Sequence, residues 1–191
     1  RRASVGVRGI KLNGDDKVVS MSILRHFDAT SDERSAYLKM RRAVAGLADD
    51  ADTPAEDEEV NANATISQER YAQMSAAENL LLTISEKGSG KLSSSHDYPV
   101  RGRGGLGVAA MDRAMRGGDI VASFPVELDD QIMLATSKGQ SIRVPVEGIS
   151  FRSRSAGGVK VFDTGRGEVV VSVARIADQG DATVETDADD A

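Results

Sequence analysis

Two short stretches of this chain hold residue types that could do chemistry. Ser95, His96 and Asp97 have the residue types of a hydrolytic triad, and residues 102–107 (GRGGLG) satisfy a dinucleotide-binding glycine pattern. A triad is assembled in space, and three neighbours in an extended chain point in different directions, so we expect His96 to be a turn and packing residue. A lone glycine match is weak evidence. The equivalent stretch, residues 152–158, continues into a strand-like run, which disfavours a nucleotide site.

Basic residues at repeated positions indicate a different chemistry. Lysine and arginine recur at equivalent places along the chain, so equivalent folding would align them on one edge of successive units. A row of cations on a curved surface is typical of a phosphate-binding track, although ordinary solvation by charged side chains would also explain it. The candidate DNA-binding cations are Lys87, Lys91, Arg101, Arg103, Lys138, Arg143, Arg152 and Arg154.

The sequence predicts no catalytic residue and no metal site. It has no cysteine, so thiolate ligands and disulfides are excluded. His26 and His96 lie in different segments without ligand spacing. No apolar run approaches the roughly 20 residues of a membrane span, and no signal-peptide pattern is present, so we expect a cytoplasmic protein without membrane contact.

The elements that position these residues follow from an internal repeat. Lys87-Gly88 returns as Lys138-Gly139, a step of 51 residues, and the same step relates Gly107 to Gly158. A period near 50 is the size of one propeller blade of four antiparallel strands. A third copy occupies residues 1–24 and predicts an apolar strand over residues 18–21. We therefore expect a mainly β fold of propeller-like blades forming part of a disc, and part of a longer protein.

A segment of different character interrupts the repeats at residues 25–77. Helical spacing predicts one helix within residues 28–48, capped by Asp28 or Ser31, and a second opened by a Thr65–Gln68 capping box and ending at Glu78. An acidic linker covering residues 49–64 joins them. The sequence predicts a helical hairpin with an acidic linker, inserted between the repeat segments 1–24 and 78–177.

Net charge is informative only when it is divided among these parts. The chain carries −6 overall, whereas its repeat segments hold 18 bases and 13 acids. Residues 178–191 hold six acids and no base, which predicts a disordered acidic tail. The negative net charge of the whole chain therefore conceals a basic repeat body with acidic flanking segments.

Four runs in the repeat segments closely resemble the C-terminal domain of the DNA gyrase A subunit. They are GVRGIKL at residues 6–12, LLTISEKGSGKLSSSHDYPVRGRGGLG at 81–107, DDQIMLATSKGQSIRVPVEGIS at 129–150 and RSAGGVKV at 154–161. The resemblance covers almost all of the repeat body, in the right order. It implies a β-pinwheel, a disc of blades around whose basic rim duplex DNA is wrapped.

The resemblance extends to one functional motif of that family. Residues 101–107 resemble a degenerate copy of the gyrase box, Gln-Arg-Arg-Gly-Gly-Lys-Gly, which matches at Arg103, Gly104, Gly105 and Gly107. Arg101, Gly102 and Leu106 depart from the box, and Leu106 replaces a basic residue. The resemblance implies that Gly104 and Gly105 let the backbone approach phosphates while the flanking arginines supply charge.

The family also implies the wider function. The parent enzyme would be a type II topoisomerase that introduces negative supercoils by double-strand passage, in a heterotetramer with gyrase B subunits that bring ATP and Mg. This fragment itself would hold no cofactor and would lie in the cytoplasm near the nucleoid. Two alternatives stay open, namely the corresponding domain of topoisomerase IV and a propeller that binds protein partners.

Overall fold

The computed structural model describes residues 4–45, 61, 63–114 and 117–177. Two α-helices precede seven strands in this part of the chain. Their bounds are α1 (Ser31–Val44), α2 (Gln68–Ala77), β1 (Leu80–Ser85), β2 (Ser89–Ser94), β3 (Ile120–Val126), β4 (Gln131–Thr136), β5 (Ser141–Pro145), β6 (Val159–Lys160) and β7 (Val170–Ile176). Single 3-10 turns, Ser95–Asp97 and Val146–Gly148, follow β2 and β5. Neither helix has the length and apolar composition that crossing a membrane requires.

The strands form two antiparallel sheets that repeat one plan. The first sheet has the order β3-β1-β2-β6 and the second has the order β5-β4-β7. In each sheet a β-hairpin, β1–β2 or β4–β5, is flanked by the strand that ends its own repeat, β3 or β7. Leu80 lies opposite Val126 in the first sheet, and Gln131 lies opposite Ile176 in the second. The register shifts at the same relative place, beside Ser85 and Thr136. The predicted propeller-like blades are confirmed.

The fourth strand of the first sheet comes from the following repeat. β6 lies after β5 in the chain, yet it pairs with β2 through Ser89 opposite Lys160 and Gly90 opposite Val159. The repeats are thus interlocked by exchange of a short strand. Among the described residues, nothing takes the corresponding place beside β5, so the second sheet has three strands here.

One apolar core joins the two sheets. The alternation of β1 and β2 turns Leu82, Ile84 and Leu92 to one side, where they meet Ile132 and Leu134 of β4. All five side chains are buried. The opposite side of the first sheet carries polar residues, with the Thr83 and Ser123 hydroxyls 3.2 Å apart.

The predicted helical hairpin is present, but its capping residues differ from those expected. Thr30 caps α1, since its side chain accepts from the Glu33 amide and the Glu33 carboxylate accepts from the Thr30 amide. Asp28 and Ser31 were the wrong candidates because neither has an acid three residues later in this reciprocal arrangement. Ser67, and not Thr65, caps α2 by accepting from the Arg70 amide. The part of the predicted helix after Ala45 lies outside the described residues, as do residues 49–60 of the predicted linker and the predicted tail, residues 178–191.

The first repeat copy does not form its predicted strand. Residues 18–21 run in irregular backbone, and Val18, Val19 and Met21 are largely exposed. The Ser20 hydroxyl reaches a neighbouring strand and donates to the Ser123 carbonyl at 3.0 Å. The prediction was wrong because a strand needs an edge to pair with, and the counterpart of β1 for this copy is not among the described residues.

Candidate nucleic-acid interface

Two candidate lysines lie on equivalent hairpin turns. Lys87 and Lys138 are exposed at the turns of β1–β2 and β4–β5, each followed by a glycine with positive φ, +77° at Gly88 and +80° at Gly139. The Lys138 ammonium donates to the Arg166 carbonyl at 2.7 Å, which holds it against the neighbouring turn. The repeat therefore places the two charges at the same end of both sheets, as the sequence predicts.

The glycine-rich loop of residues 101–107 lies on the surface beside the first repeat copy. Arg101, Arg103 and Gly105 are exposed, and Gly104 has a φ of +77°. The Gly104 amide donates to the Gly9 carbonyl at 2.8 Å. This contact fixes the loop while its two arginine side chains are exposed to solvent, which suits a loop that approaches a phosphate backbone.

Arg143 and Arg152 occupy the second sheet and its following segment. Arg143 is exposed on β5, opposite Met133. Arg152 is half-buried, and its amide donates to the Leu92 carbonyl at 2.8 Å. Arg143 is therefore a sound candidate for a phosphate contact, whereas Arg152 is a weaker one because part of its side chain is enclosed.

Lys91 is a correction to the predicted site. Its side chain is fully buried, and its ammonium donates to the carbonyls of Ser153 at 2.6 Å, Arg154 at 2.6 Å and Ala156 at 2.7 Å. Its position on β2, opposite Thr83, turns it under the loop of the next repeat. An ammonium enclosed by three carbonyls is not available to DNA, so Lys91 is structural.

Arg154 is the second correction. Only 3% of the residue is exposed, and its Nε donates to the Asp97 carbonyl at 3.0 Å while one terminal nitrogen donates to the Ala109 carbonyl at 2.5 Å. The Arg154 amide donates to the Asp97 carboxylate at 2.5 Å. Burial raises the pKa of Asp97, and the hydrogen bond and charge of Arg154 oppose that shift. Arg154 thus joins two repeats and does not face solvent.

The joint that holds Arg154 occurs twice in the chain. The Asp112 amide donates to the Ala156 carbonyl at 3.2 Å, and the Lys11 amide donates to the Gly105 carbonyl at 2.8 Å. These two bonds are equivalent under the repeat, since Gly105 and Ala156 lie one period apart. Arg103 is the repeat counterpart of Arg154, but it is exposed here. The same loop therefore carries a buried arginine at one joint and an exposed one at the other.

The structure divides the predicted residues between two regions. Lys87 lies before β2, and the Ser95–Asp97 turn that contacts Arg154 lies after it, so the two regions are separated by the length of that strand, about 20 Å. The two hairpin lysines share one end, and the 101–107 loop and Arg152 belong to the joints. Further exposed cations that the repeat pattern did not single out are Lys11, Lys17, Arg25, Arg113 and Arg166. The sequence pattern alone does not show which cations are exposed once the chain has folded.

The rival chemistries find no support in the geometry. His96 is buried, its Nε2 lies 2.8 Å from the Met74 carbonyl, and Ser95 Oγ accepts from the Asn79 amide at 3.0 Å. Because Asp97 binds Arg154 instead, these three side chains do not form a triad. Residues 108–114 contain no helix, so the glycine pattern lacks the strand-turn-helix setting of a dinucleotide site.

The sequence of the chain is similar to known proteins of one family. The family model described as "DNA gyrase C-terminal domain, beta-propeller" matches residues 1–25, 79–124 and 130–177. The DNA gyrase A subunit of Granulibacter bethesdensis is 46% identical over 90% of this chain, and that of Rickettsia bellii is 37% identical over 94%. The chain spans 19% and 20% of the lengths of these relatives.

A solved structure of a DNA gyrase A C-terminal domain covers 52% of this chain and 34% of its own, at 25% identity and a TM-score of 0.49. The matched segments of the family model coincide with the two sheets and the first repeat copy, and they leave out the helical hairpin. The chain belongs to the family of the DNA gyrase C-terminal domain, a β-propeller.

Proposed function

We propose that this chain binds duplex DNA along its exposed basic turns and loops and wraps it, as part of a gyrase A subunit. The observation that carries the proposal is the placement of Lys87 and Lys138 at equivalent turns of successive sheets, both exposed. Cations repeated at one end of successive blades meet phosphates at successive positions along a bent duplex. No base-specific contact is required for this mode of binding.

The energetics favour many weak contacts. Each neutralised phosphate releases counterions, and bending stiff DNA over a short length costs several kcal/mol, on the order of 1–6. The repeat segments supply this charge, since they hold 18 bases against 13 acids while the acids are concentrated in the other parts of the chain. The exposed 101–107 loop adds two arginines beside backbone that lacks side chains at Gly104 and Gly105.

The wider reaction is part of the same proposal. Wrapping with a fixed hand presents one DNA segment for passage through another, and in this proposal the result is negative supercoiling by double-strand passage. Gyrase B subunits complete a heterotetramer in the cytoplasm and bring ATP and Mg, so this chain supplies only DNA binding and curvature.

Salt dependence tests the interface. Replacing Lys87, Lys138, Arg101 and Arg143 with alanine should weaken binding to any duplex sequence. It should also flatten the plot of log affinity against log salt by about 0.9 for each lost phosphate contact. Lys39→Ala is the matched control for each of the four substitutions made singly, because Lys39 is an exposed base on α1 and lies outside the repeat body.

The measurement is duplex affinity by fluorescence anisotropy over a range of salt concentrations. A slope for the quadruple variant equal to that of the unsubstituted chain would place the DNA elsewhere. Absence of duplex binding by the unsubstituted chain would reject the proposal itself.

A further inference from the structure

The helical hairpin touches two different repeats. On the first sheet it encloses His96, whose Nε2 lies 2.8 Å from the Met74 carbonyl of α2. The His96 ring meets Phe27 and Tyr37 edge-on, with centroids 5.6 and 5.0 Å away. Because His96 lies in the turn directly after β2, the hairpin is fixed to the end of that strand.

The second contact of the hairpin lies on the next repeat. The guanidinium carbon of Arg41 on α1 is 3.7 Å from the centroid of the Phe151 ring, and its Nε donates to Glu78 at 2.9 Å. Phe151 follows the second sheet's hairpin and lies beside β2 in a parallel bridge with Leu92. Arg41 therefore reaches across the line where the two repeats meet.

That line, the seam between β2 and residues 150–160, is held by the buried side chains of Lys91 and Arg154 and by few backbone bonds. The Leu92 amide donates to the Ser150 carbonyl at 3.0 Å and the Arg152 amide to the Leu92 carbonyl at 2.8 Å. β6 adds a two-residue ladder farther along, beside which the Val161 and Phe162 amides donate to the Gly88 carbonyl. A short ladder alone resists rotation between sheets poorly. A contact that anchors Phe151 to the first sheet therefore adds to the rigidity that Lys91 and Arg154 give the seam.

We propose that the helical hairpin is a brace across the seam and that it sets the angle between the two sheets. It is fixed at His96, and it contacts the Phe151 ring through Arg41. The angle in turn sets the curvature of bound DNA, a consequence that rests on the proposed function. In the next repeat the short turn Glu127–Asp130 joins β3 to β4. The helical hairpin occupies the equivalent place in the preceding repeat, so a longer, packed connection stands where the next repeat has a tight turn.

Hydrogen exchange of the full chain tests the brace without DNA. In Arg41→Gln, the amides of Leu92 and Arg152 should exchange about tenfold faster, because loss of the cation–π contact favours local opening of the seam. Amides of β4 should keep their rates. Lys39→Gln removes the same charge from an exposed position on the same helix and should change neither set.

A second variant separates the brace from the stability of the hairpin. Phe151→Leu removes the ring but leaves the Arg41–Glu78 ion pair, and it should accelerate the same two amides. The double variant should add nothing to either single one, since both remove the same contact. Unchanged exchange in Arg41→Gln, or fully additive effects, would overturn the brace.

DNA curvature is measured separately, by energy transfer between dyes at the two ends of a short duplex saturated with protein. Arg41→Gln should bind within about twofold of Lys39→Gln but show lower transfer, as the ends spread. Faster exchange with unchanged transfer would keep the brace and overturn its effect on curvature. If the unsubstituted chain binds no duplex, the proposed function fails, whereas the brace is still decided by the exchange rates.

Discussion

At the scale of single residues, the most consequential side chain is one that faces inward. Lys91 places an ammonium group beneath the loop of the next repeat, where three carbonyl oxygens replace its water shell. The loop backbone curves around this charge, and Arg154 in the same loop binds the turn after β2. Two cations buried in opposite directions therefore tie one repeat to the next.

Lys91→Met tests this role. Methionine matches the length of the side chain but leaves the carbonyls of Ser153, Arg154 and Ala156 without their donor, so the free energy of unfolding should fall by about 3 kcal/mol. Lys87→Met is the control, because Lys87 is exposed four residues away and should change stability by less than about 0.5 kcal/mol. Urea denaturation measures both. Equal effects would show that the buried ammonium contributes nothing.

Glu33 gives a pH-dependent prediction at the same scale. Its hydrogen bond with Arg70, and then its bond to the Thr30 amide, lower the pKa of this carboxyl below 4.5. A lowered folded-state pKa contributes stability above the unfolded-state value that is lost as the pH falls through the folded-state value. The unsubstituted chain should therefore exceed Glu33→Gln in stability by about 1 kcal/mol at pH 7.

That difference should shrink as the pH falls below 4.5. Thermal unfolding between pH 7 and pH 3 measures it. Glu69→Gln is the control, because Glu69 is an exposed acid in the first turn of α2. A difference that stays constant across this range would contradict the assignment.

At the scale of elements, the two β-hairpins, β1–β2 and β4–β5, have the same type of turn in two different environments. Gly88 and Gly139 have nearly the same φ, +77° and +80°. The Gly88 carbonyl accepts from the Val161 and Phe162 amides where the exchanged strand leaves the first sheet. Gly139 has open space around it. The first turn is therefore fixed by both conformation and packing, the second by conformation alone.

Alanine at these two positions separates the two constraints. Gly139→Ala should cost about 1–2 kcal/mol from left-handed backbone strain. Gly88→Ala should cost about 2 kcal/mol more, because its Cβ would lie 2.1 Å from the Phe162 carbonyl oxygen. Chemical denaturation of both variants gives the difference. Equal losses would mean that the exchanged strand yields freely at this point.

The repeat period was sufficient to predict the two sheets and the positions of Lys87 and Lys138, because those features recur at a fixed spacing. It was not sufficient for Lys91 or Arg154, whose burial depends on strand exchange between repeats, a long-range contact without local signature. The residues that cap the helical hairpin, Thr30 and Ser67, lie one or two positions from the predicted ones. Its attachment to His96 and Phe151 was not predicted, since a single aromatic or basic residue at each end gives no pattern.

At the scale of the whole molecule, charge is distributed unevenly. The repeat segments are basic, and residues 178–191 hold six acids without a base. A polyanion tethered to the basic repeat body has a high effective concentration and competes with phosphates for the same cations. We therefore expect the tail segment to weaken DNA binding.

Removing residues 178–191 should tighten duplex binding at low salt, with the gain shrinking as salt screens the attraction. Anisotropy titrations of the full and shortened chains at several ionic strengths measure this. A chain in which the six acids are replaced by their amides is the matched control, and it should behave like the shortened one. Equal affinities of the full and shortened chains at low salt would eliminate the competition.

Strand exchange also has a consequence for the order in which the protein is made. The first sheet receives its edge strand only when Lys160 has left the ribosome, although β1 and β2 emerge much earlier. Lys91 meets all three of the carbonyls that enclose it only when Ala156, 65 residues later, has also emerged. During vectorial synthesis the edge of β2 is therefore open to strands of other nascent chains. During synthesis, a repeat cannot complete its sheet until the following repeat has emerged. Mispairing would therefore begin between nascent chains on neighbouring ribosomes of one messenger RNA.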